Sequence, residues 1–511
     1  MINFFGSKPG YRVLAGLAAA IVLGLSLVNL TLFPRTWFDE GSHLHVPKTL
    51  VTYGVYADYS SEGFRYFGPS IGIGPTVMLP IAITFKLFGV GLLQARLIIV
   101  AYLLVAAAGF FALARAFGGN RMAWLATAIL IGSQGLSLLE LGRQVLGEVP
   151  GLAFLVLGWL AWVRAETSAR PRELLLTGAG FGLASITKNQ FALLIVPAIF
   201  VAGLANLIYF RRLPHRYFVI PLIVTLAFYG AWQMIVLAFL GPGSFSQNWE
   251  LLKQFSAGAA FVFSTDLIQR AIGLLIGPDV FAGWIAPVLV YGVALAVRRT
   301  AEGQRWANVM ILVLGGLAWY TFASISWLRY AFLPLVLATL VAAKLLDDLI
   351  GNADLHPRRA WSALRGGDVR TPLALSAVAA FALMSLLPLA LTARNILRPP
   401  APDVQNLAAY LNANIPKDVL IETWEPELGF LTDHNYHFPP HALLDTAVRN
   451  VWQGGPAPST LYDPGSASAP YIIVGPFAKY TGLYNDYLSS GAEHTQSFGD
   501  YDIYRRVPAT P

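Results

Sequence analysis

Two adjacent carboxylates are the first residues of the chain that could do chemistry. Asp39 and Glu40 stand in the sequence Trp-Phe-Asp-Glu-Gly-Ser-His, shortly after an apolar run that ends near residue 33. Carboxylates next to a segment of membrane length are costly unless they are paired or used. The pair therefore indicates a general base or a cation site, and a loop that only solvates its charges is the alternative.

A second acidic residue and five basic residues extend the set. Glu148 precedes Pro150 in a short turn, where it serves either in chemistry or as an acidic first-turn residue that complements a helix dipole. Arginine and lysine bind phosphate oxygens strongly in a low-dielectric site. Ion pairing with the nearby carboxylates is the alternative. The five basic residues are Arg65, Arg96, Arg143, Lys188 and Arg329.

Histidines and aromatic residues give weaker signals. His43 lies close to the acidic pair, so Asp39, His43 and Glu148 are the candidates for binding a divalent cation, while no cofactor is required by the pattern. Tyr66 and neighbouring aromatic residues suit either a sugar face or an interfacial belt. No phosphate-binding glycine loop, Ser-His-Asp order or His-Glu-x-x-His motif is present.

The composition places these residues in a membrane protein. Of 511 residues, 56% are hydrophobic and only 12% are charged, whereas a soluble domain has about 25% charged residues. This excludes an ordinary soluble enzyme and a disordered chain. The absence of cysteine excludes disulfides and thiol catalysis.

The charge is divided unevenly along the chain. The net charge is +7, yet residues 399–511 contain 12 acidic and 5 basic residues. The first 398 residues therefore hold 30 basic and 16 acidic residues. These basic residues fall in short loops between apolar runs, which is typical of membrane topology and argues against a nucleic-acid partner.

Apolar runs of about 20 residues predict transmembrane helices. Eleven are expected, at about 12–33, 94–117, 122–140, 149–164, 173–187, 190–210, 216–240, 272–297, 306–324, 328–346 and 373–395. If a twelfth run, 71–89, lies in the outer interface, the arginine clusters all face the cytoplasm, as the positive-inside rule favours. These clusters include Arg358, Arg359, Arg365 and Arg370, and Lys8 and Arg12 lie on the same side.

This topology predicts an all-α polytopic membrane domain, residues 1–398, and an external α/β domain, residues 399–511. The N-terminus is cytoplasmic, the membrane is the plasma (inner) membrane, and the external loop 34–93 contains an amphipathic stretch after Asp39. In the external domain a helix follows Asp403, and strands are expected at Val419–Thr423, Tyr471–Val474 and Tyr501–Arg505.

The order of these features resembles the GT-C superfamily of polyprenyl-phosphate-sugar-dependent glycosyltransferases. An Asp-Glu pair follows the first span, Gly74-Pro75 opens a re-entrant segment, and a Phe-Gly-x-Gly-Leu-Leu-x-x-Arg stretch ends at Arg96. An acidic second external turn at Glu148 and Thr187-Lys188 at a span end follow. The pattern is similar to protein O-mannosyltransferases and lipid A aminoarabinose transferases, and residues 421–428 also resemble bacterial members.

The resemblance implies roles for individual residues. Asp39, with Glu40 beside it, matches the family's first-loop base, and Glu148 matches its second-loop acidic residue. Arg96, Lys188 and Arg329 match lipid-phosphate contacts. Where aminoarabinose transferases have Glu-Lys-Pro, this chain has Ile73-Gly74-Pro75. The implied partners are a polyprenyl-phosphate-linked sugar, membrane lipid and a lipid, glycan or protein acceptor, and the implied reaction is an inverting single displacement.

Two other functions fit part of the sequence. A secondary transporter or lipid flippase also has many spans and buried charges, but this chain shows no internal repeat of the kind common in transporters. A non-catalytic member of an envelope assembly would keep only the scaffold, and the Asp39-Glu40 pair argues against it. The glycosyltransferase hypothesis also explains the long external loop and the external domain.

Overall fold

A computed structural model describes residues 8–66, 72–168, 170–351 and 369–507. It shows a helical membrane part followed by a small α/β unit. The first segment contains helices α1 and α2 and a hairpin of two strands, with bounds Lys8–Leu27 (α1), Phe38–Tyr53 (α2), Ala57–Ser60 (β1) and Gly63–Tyr66 (β2). The predicted cytoplasmic residues Arg358, Arg359 and Arg365 lie outside the described residues.

The membrane part continues with helices α3 to α15. Their bounds are Pro75–Phe88 (α3), Leu92–Gly132 (α4), Leu138–Leu141 (α5), Glu148–Ser168 (α6), Pro171–Thr187 (α7), Asn189–Ala205 (α8), Arg216–Ala259 (α9), Thr265–Ile276 (α10), Ile285–Ala296 (α11), Ala301–Ala323 (α12), Phe332–Ile350 (α13), Arg370–Phe381 (α14) and Leu387–Leu397 (α15). Short π-helical turns at Asn206–Phe210 and Ala382–Leu386 continue α8 and join α14 to α15.

Several of these helices are long and apolar enough to cross a membrane. Within the described ranges there are six, at Leu92–Gly132, Glu148–Thr167, Asn189–Phe210, Arg216–Ala259, Ala301–Ala323 and Arg370–Leu397. Shorter apolar helices include α3 and α11. The chain is thus a multi-pass membrane protein, as its composition predicts.

Glycine and proline explain where the helices depart from the predicted spans. Gly118 and Gly119 leave helical geometry inside α4, which separates the runs predicted at 94–117 and 122–140. Gly241 has φ +75°, and the chain bends there within α9. The single span predicted at 272–297 is instead two helices, α10 and α11. Pro278 cannot donate a helical hydrogen bond, and helix α10 ends just before it.

The C-terminal unit is built on a five-stranded sheet. Its elements are Asp403–Asn414 (α16), Leu420–Thr423 (β3), Pro426–Leu431 (α17), Asn435–His437 (β4), Ala442–Gln453 (α18), Tyr471–Val474 (β5), Pro476–Thr481 (α19), Asn485–Gly491 (α20), Ala492–Phe498 (β6) and Tyr501–Arg506 (β7). The strand order is β4-β3-β5-β7-β6, with β3 parallel to both neighbours and β7 antiparallel to both. The three predicted strands and the helix after Asp403 are all present.

Helix α2 connects the two parts of the molecule. It was expected to be amphipathic, but it is buried on nearly all sides, from Glu40 to Pro47 and again at Thr49. Helix α17 of the sheet unit packs against it. Lys48 donates hydrogen bonds to the carbonyl oxygens of Gly429, Phe430 and Thr432 at 2.7–3.1 Å and so caps the end of α17. Cationic side chains favour this end of a helix.

The contact between α2 and α17 depends on Gly41. A methyl group at this position would lie 2.3 Å from the backbone nitrogen of Glu427. We expect Gly41→Ala to destabilise the folded protein by about 1–3 kcal/mol, because overpacking forces the backbones apart. The measurement is the thermal unfolding midpoint in detergent. Gly24→Ala in α1 is the control, because a methyl group at Gly24 would have no neighbouring atom within 4 Å. Equal unfolding midpoints for the two variants would contradict the close contact.

Candidate active site

Four of the predicted residues converge in one ionic network. Arg329 Nη1 donates to Asp39 Oδ2 at 2.6 Å, and its Nε and Nη2 donate to the two oxygens of Glu148. Lys188 forms a further ion pair with Glu148. Residues 39, 148, 188 and 329 thus meet from four separate segments of the chain.

The four side chains differ in exposure. The side chain of Glu148 is 2% exposed, and those of Lys188 and Arg329 are 11% and 10% exposed. Asp39, at 30%, is the most accessible of the four. Glu148 is therefore the inner counter-ion of both cations, while Asp39 is the carboxylate that an incoming molecule can reach.

Two tryptophans enclose the guanidinium of Arg329. Its Cζ lies 5.1 Å from the ring centroid of Trp327 and 5.8 Å from that of Trp37. The two indoles meet edge to face, and Trp37 Nε1 donates to Gln144 Oε1 at 2.6 Å. Aromatic faces attract the cation and fix its plane. Trp37 opens the Trp-Phe-Asp-Glu-Gly-Ser-His sequence, but neither it nor Trp327 was among the predicted site residues.

Close glycine contacts place Lys188 and Glu148 side by side. Gly74 N donates to Thr187 O at 2.9 Å, and a methyl group at Gly74 would lie 1.8 Å from Ile186 O. A methyl group at Gly147 would meet the side chains of both Ile73 and Lys188. The Gly74-Pro75 feature was noted in the sequence, whereas Gly147 was missed. The signal that could have found it is its position directly before a candidate acid.

Glu40 and Arg96 form a separate, fully buried ion pair. Arg96 donates to Glu40 Oε1 at 2.9 Å and to Oε2 at 2.5 Å, and both side chains are 0% exposed. Arg96 also donates to Leu30 O, and Glu40 Oε1 accepts from Val145 N at 3.0 Å. These contacts favour a structural role for the pair over the predicted roles of Glu40 as a catalytic carboxylate beside Asp39 and of Arg96 as a phosphate ligand.

The other two predicted basic residues, Arg143 and Arg65, also bind groups of the protein itself. Arg143 is fully buried and donates to the carbonyl oxygens of Leu25, Val28 and Phe33. Arg65 pairs with Asp58 at 2.7 Å. Neither guanidinium reaches the ionic network. Tyr66 ends strand β2, and its side chain lies outside the described part.

The predicted cation-binding residues do not form a group in the described ranges. There, no three His, Asp or Glu side chains come together in a way that could hold a metal ion. His43 Nδ1 lies 2.8 Å from Val145 O, and burial lowers the pKa of His43 to about 4. Asp39 and Glu148 are held by Arg329 instead.

Two clefts border the network. One has a volume of about 370 Å³ and is lined by Trp37, Gln144, Trp327 and Arg329 among others. The second lies beside Lys188 and is lined by Gly74, Asn189 and residues of α9 that include Trp232 and Trp249. A molecule in either cleft would contact one of the two cations.

Comparison with solved structures identifies the fold. ArnT from Cupriavidus metallidurans in the apo state has a TM-score of 0.62 and 16% identity, over 98% of this chain and 99% of that chain. The same enzyme bound to undecaprenyl phosphate gives 0.61 and 16%, over 99% and 100%. The oligosaccharyltransferase of Archaeoglobus fulgidus in the apo form gives 0.56 and 13%, over 99% and 75%.

The chain has the GT-C fold. In sequence, residues 73–235 match the family model of dolichyl-phosphate-mannose-protein mannosyltransferases. No curated protein sequence matches the chain. The resemblance to GT-C glycosyltransferases seen in the sequence is thus confirmed, and the segment that matches the family model contains two members of the network, Glu148 and Lys188.

The structural role of the buried Glu40–Arg96 pair can be tested by measuring stability. Arg96→Met leaves an unpaired buried carboxylate, so we expect a loss of about 3–5 kcal/mol in the free energy of unfolding. The double variant Glu40→Met with Arg96→Met leaves neither charge and should recover part of that loss. The measurement is the thermal midpoint and the yield of monodisperse protein in detergent. A single variant as stable as the wild type would contradict the structural role.

Proposed function

We propose that this chain is an integral-membrane glycosyltransferase that moves a sugar from a polyprenyl-phosphate carrier to an acceptor at the outer membrane face. The observation that carries the proposal is the convergence of Asp39, Glu148, Lys188 and Arg329 on a GT-C scaffold. The similarity to ArnT, solved with undecaprenyl phosphate, and the match to dolichyl-phosphate-mannose-protein mannosyltransferases support the class of donor.

The geometry supports different roles for the two carboxylates, Asp39 and Glu148. Asp39 is the more exposed one and, among the described residues, pairs with Arg329 alone, so it is the general base that takes the proton of the acceptor hydroxyl. Glu148 is buried and contacts both Arg329 and Lys188. It keeps the two cations together and oriented, which pre-organises them for an anion.

The proposed reaction is a single displacement. The acceptor oxygen forms a bond to the anomeric carbon of the sugar while the bond from that carbon to the phosphate oxygen breaks. Asp39 receives the acceptor proton, and the electron pair of the broken bond leaves with the lipid phosphate. Arg329 and Lys188 stabilise the charge that develops on this leaving group. Attack opposite the leaving group inverts the anomeric centre.

The two clefts provide separate approaches for two substrates. Because Arg329 lines one cleft and Lys188 lines the other, the ionic network lies where the contents of both can meet. Before a donor arrives, the four side chains carry two positive and two negative charges. A phosphodiester then competes with Asp39 for Arg329, which frees Asp39 to act as a base.

The topology and the domain boundaries belong to the same proposal. Residues 1–398, with the external loop 34–93, form the membrane domain, and residues 399–511 form an external domain on the outer face of the plasma (inner) membrane. The N-terminus is then cytoplasmic. The positive-inside distribution supports this orientation. Helix α2, which bears Asp39, packs against the sheet unit and therefore lies on the same outer side.

Transfer of labelled sugar by the purified protein tests the assignment of the base. With radiolabelled polyprenyl-phosphate sugars and mixed membrane acceptors, Asp39→Asn is expected to lower kcat by at least about 10²-fold, because the general base is lost. Asn retains the size of the side chain and can still contact Arg329, so thermal stability should change little. Glu493→Gln, at an exposed carboxyl of strand β6 away from the network, is the control.

Undiminished transfer by Asp39→Asn would show that Asp39 is not the general base, but it would not contradict the glycosyltransferase function. No transfer from any polyprenyl-phosphate sugar, by folded wild-type protein, would contradict the function itself. Transport of the intact lipid across proteoliposomes in that case would favour the flippase hypothesis.

The phosphate role of the cations is tested by binding. Lys188→Met and Arg329→Met should each weaken the binding of a polyprenyl phosphate by about tenfold or more, since a charge-assisted hydrogen bond to an ion contributes about 1.5–3 kcal/mol. The measurement is a titration of protein in nanodiscs with the lipid phosphate. Lys86→Met, in the exposed last turn of α3, should leave the affinity unchanged. Equal affinities for all variants would contradict the proposed contact.

A further inference from the structure

Two buried carboxyl groups lie where the sheet unit meets helix α2. Glu425 and Glu427 flank Pro426 at the start of α17 and are 1% and 0% exposed. Within the described part of the chain, neither forms an ion pair with a lysine, arginine or histidine. An unpaired charge in such a place is very costly. The pair therefore needs another means of compensation.

The hydrogen bonds around the pair indicate a shared proton. Glu425 accepts from Ala478 N at 2.9 Å, and Glu427 Oε1 accepts from the hydroxyl of Tyr501 at 2.8 Å. Glu427 Oε2 is buried and has no hydrogen-bond donor among the described residues, and a hydrogen bond between the two carboxyl groups contributes to the pKa of each. Two carboxyl groups can be joined in this way only if one of them is protonated.

Burial raises the pKa of both groups. It brings the pKa of Glu425 to about 7, and the neighbouring carboxylate of Glu425 raises the pKa of Glu427 further. The surrounding groups do not supply a compensating charge. Tyr501 and Tyr484 are buried phenols with raised pKa values, and His45 on α2 is neutral near pH 7, because burial lowers its pKa to about 4.

The remaining charges near the pair are engaged elsewhere. Arg35 pairs with Asp403 at 3.0 Å and with Asp500 at 2.7 Å. On α2, Glu40 is held by Arg96 and Asp39 by Arg329. Ionisation of both Glu425 and Glu427 would thus place two like charges at the contact without a counter-ion.

The pair is linked to Asp39 by short contacts. The backbone of Glu427 lies against Gly41, so close that a methyl group there would be 2.3 Å from its nitrogen. Through Ala478, Glu425 holds the start of α19, where the ring of Phe477 stacks on Phe38 with centroids 3.8 Å apart. Phe38 and Gly41 belong to the first turn of α2 and flank Asp39 on both sides.

We propose that Glu425 and Glu427 are positioning residues that hold the first turn of α2, and with it Asp39, through one shared proton. This inference rests on the proposed function for the role of Asp39, but not for the contact itself. With the proton in place, α17 and α19 pack tightly against the turn from Phe38 to Gly41. When the proton is lost, repulsion between the carboxylates loosens α17 from α2 and Asp39 loses its fixed position.

The direction of the pH dependence follows from the raised pKa values. A carboxyl whose pKa is higher in the docked state than in the free state stabilises docking at low pH, and this contribution is lost as the pH rises through the docked value. The contact is thus strongest below about pH 5 and weakens progressively as the pH rises from there through about 7. For one linked proton the docking equilibrium changes up to tenfold per pH unit between the free and the docked pKa.

Hydrogen exchange of the full-length protein in nanodiscs tests the contact without relying on activity. After correction for the intrinsic exchange rate, the protection factors of peptides covering 37–44 and 424–431 should fall by about tenfold or more between about pH 6 and pH 8.5. Glu427→Gln should make this fall clearly smaller, since its amide accepts from Tyr501 and donates to Glu425, so that an ionised Glu425 keeps a hydrogen-bond donor and faces no second carboxylate. Glu493→Gln, at an exposed carboxyl of strand β6, should behave like the wild type.

Transfer kinetics then test the link to Asp39. The ratio of kcat at pH 8.5 to kcat at pH 6 should be at least about fivefold higher in Glu427→Gln than in the wild type and in Glu493→Gln. Protection that is independent of pH in the wild type, or equally dependent in Glu427→Gln, would overturn the shared proton. A pH-dependent contact with an unchanged kcat ratio would overturn the positioning of Asp39. Absence of transfer at every pH would count against the proposed function and leave the exchange result to stand alone.

Discussion

The arrangement of the site depends on one guanidinium that two carboxylates share. Arg329 precedes helix α13, Asp39 lies in the first turn of α2, and Glu148 begins α6, so the ion pairs join segments that are far apart in sequence. In a low-dielectric environment such pairs are strong only if every member stays in place, because a buried charge that loses its partner is heavily penalised. Lys188 completes the compensation at Glu148. The helices around this network must therefore pack closely, and their buried polar groups must be hydrogen-bonded.

Buried polar contacts outside the network provide that rigidity. Arg96 donates to Leu30 O and Thr36 Oγ1, and Arg143 donates to Val28 O and Phe33 O, so the loop that leads to Asp39 is fixed by two guanidinium groups. In a protein without cysteine, no disulfide can do this. The same residue types can therefore serve two purposes in one protein, as substrate ligands where they line a cleft and as internal ties where they are fully enclosed.

Sequence patterns predicted the membrane architecture and the four members of the network, but not which basic residues would be enclosed. Positive-inside reasoning selects Arg96, Arg143, Lys188 and Arg329 alike, since it registers only their place along the chain. Whether a guanidinium meets a carbonyl or a cleft depends on tertiary packing, which a single sequence does not encode in any local spacing. Breaks in the helices were missed for a related reason. The apolar run over 272–297 suits one span by composition, and the Gly277-Pro278 dipeptide that ends α10 is a local signal against it.

Helix α2 shows why the sheet unit matters to a site in the membrane part. Its sequence has almost no helical periodicity of apolar residues and contains Pro47, so it would not be stable as an isolated helix. It is nevertheless buried from Glu40 to Pro47, which requires cover on opposite sides. The membrane part covers one side through Arg96 and Val145, and the sheet unit covers the other through Glu427 and Phe477. The position of Asp39 is thus a property of the whole chain, because neither part alone encloses the helix that bears it.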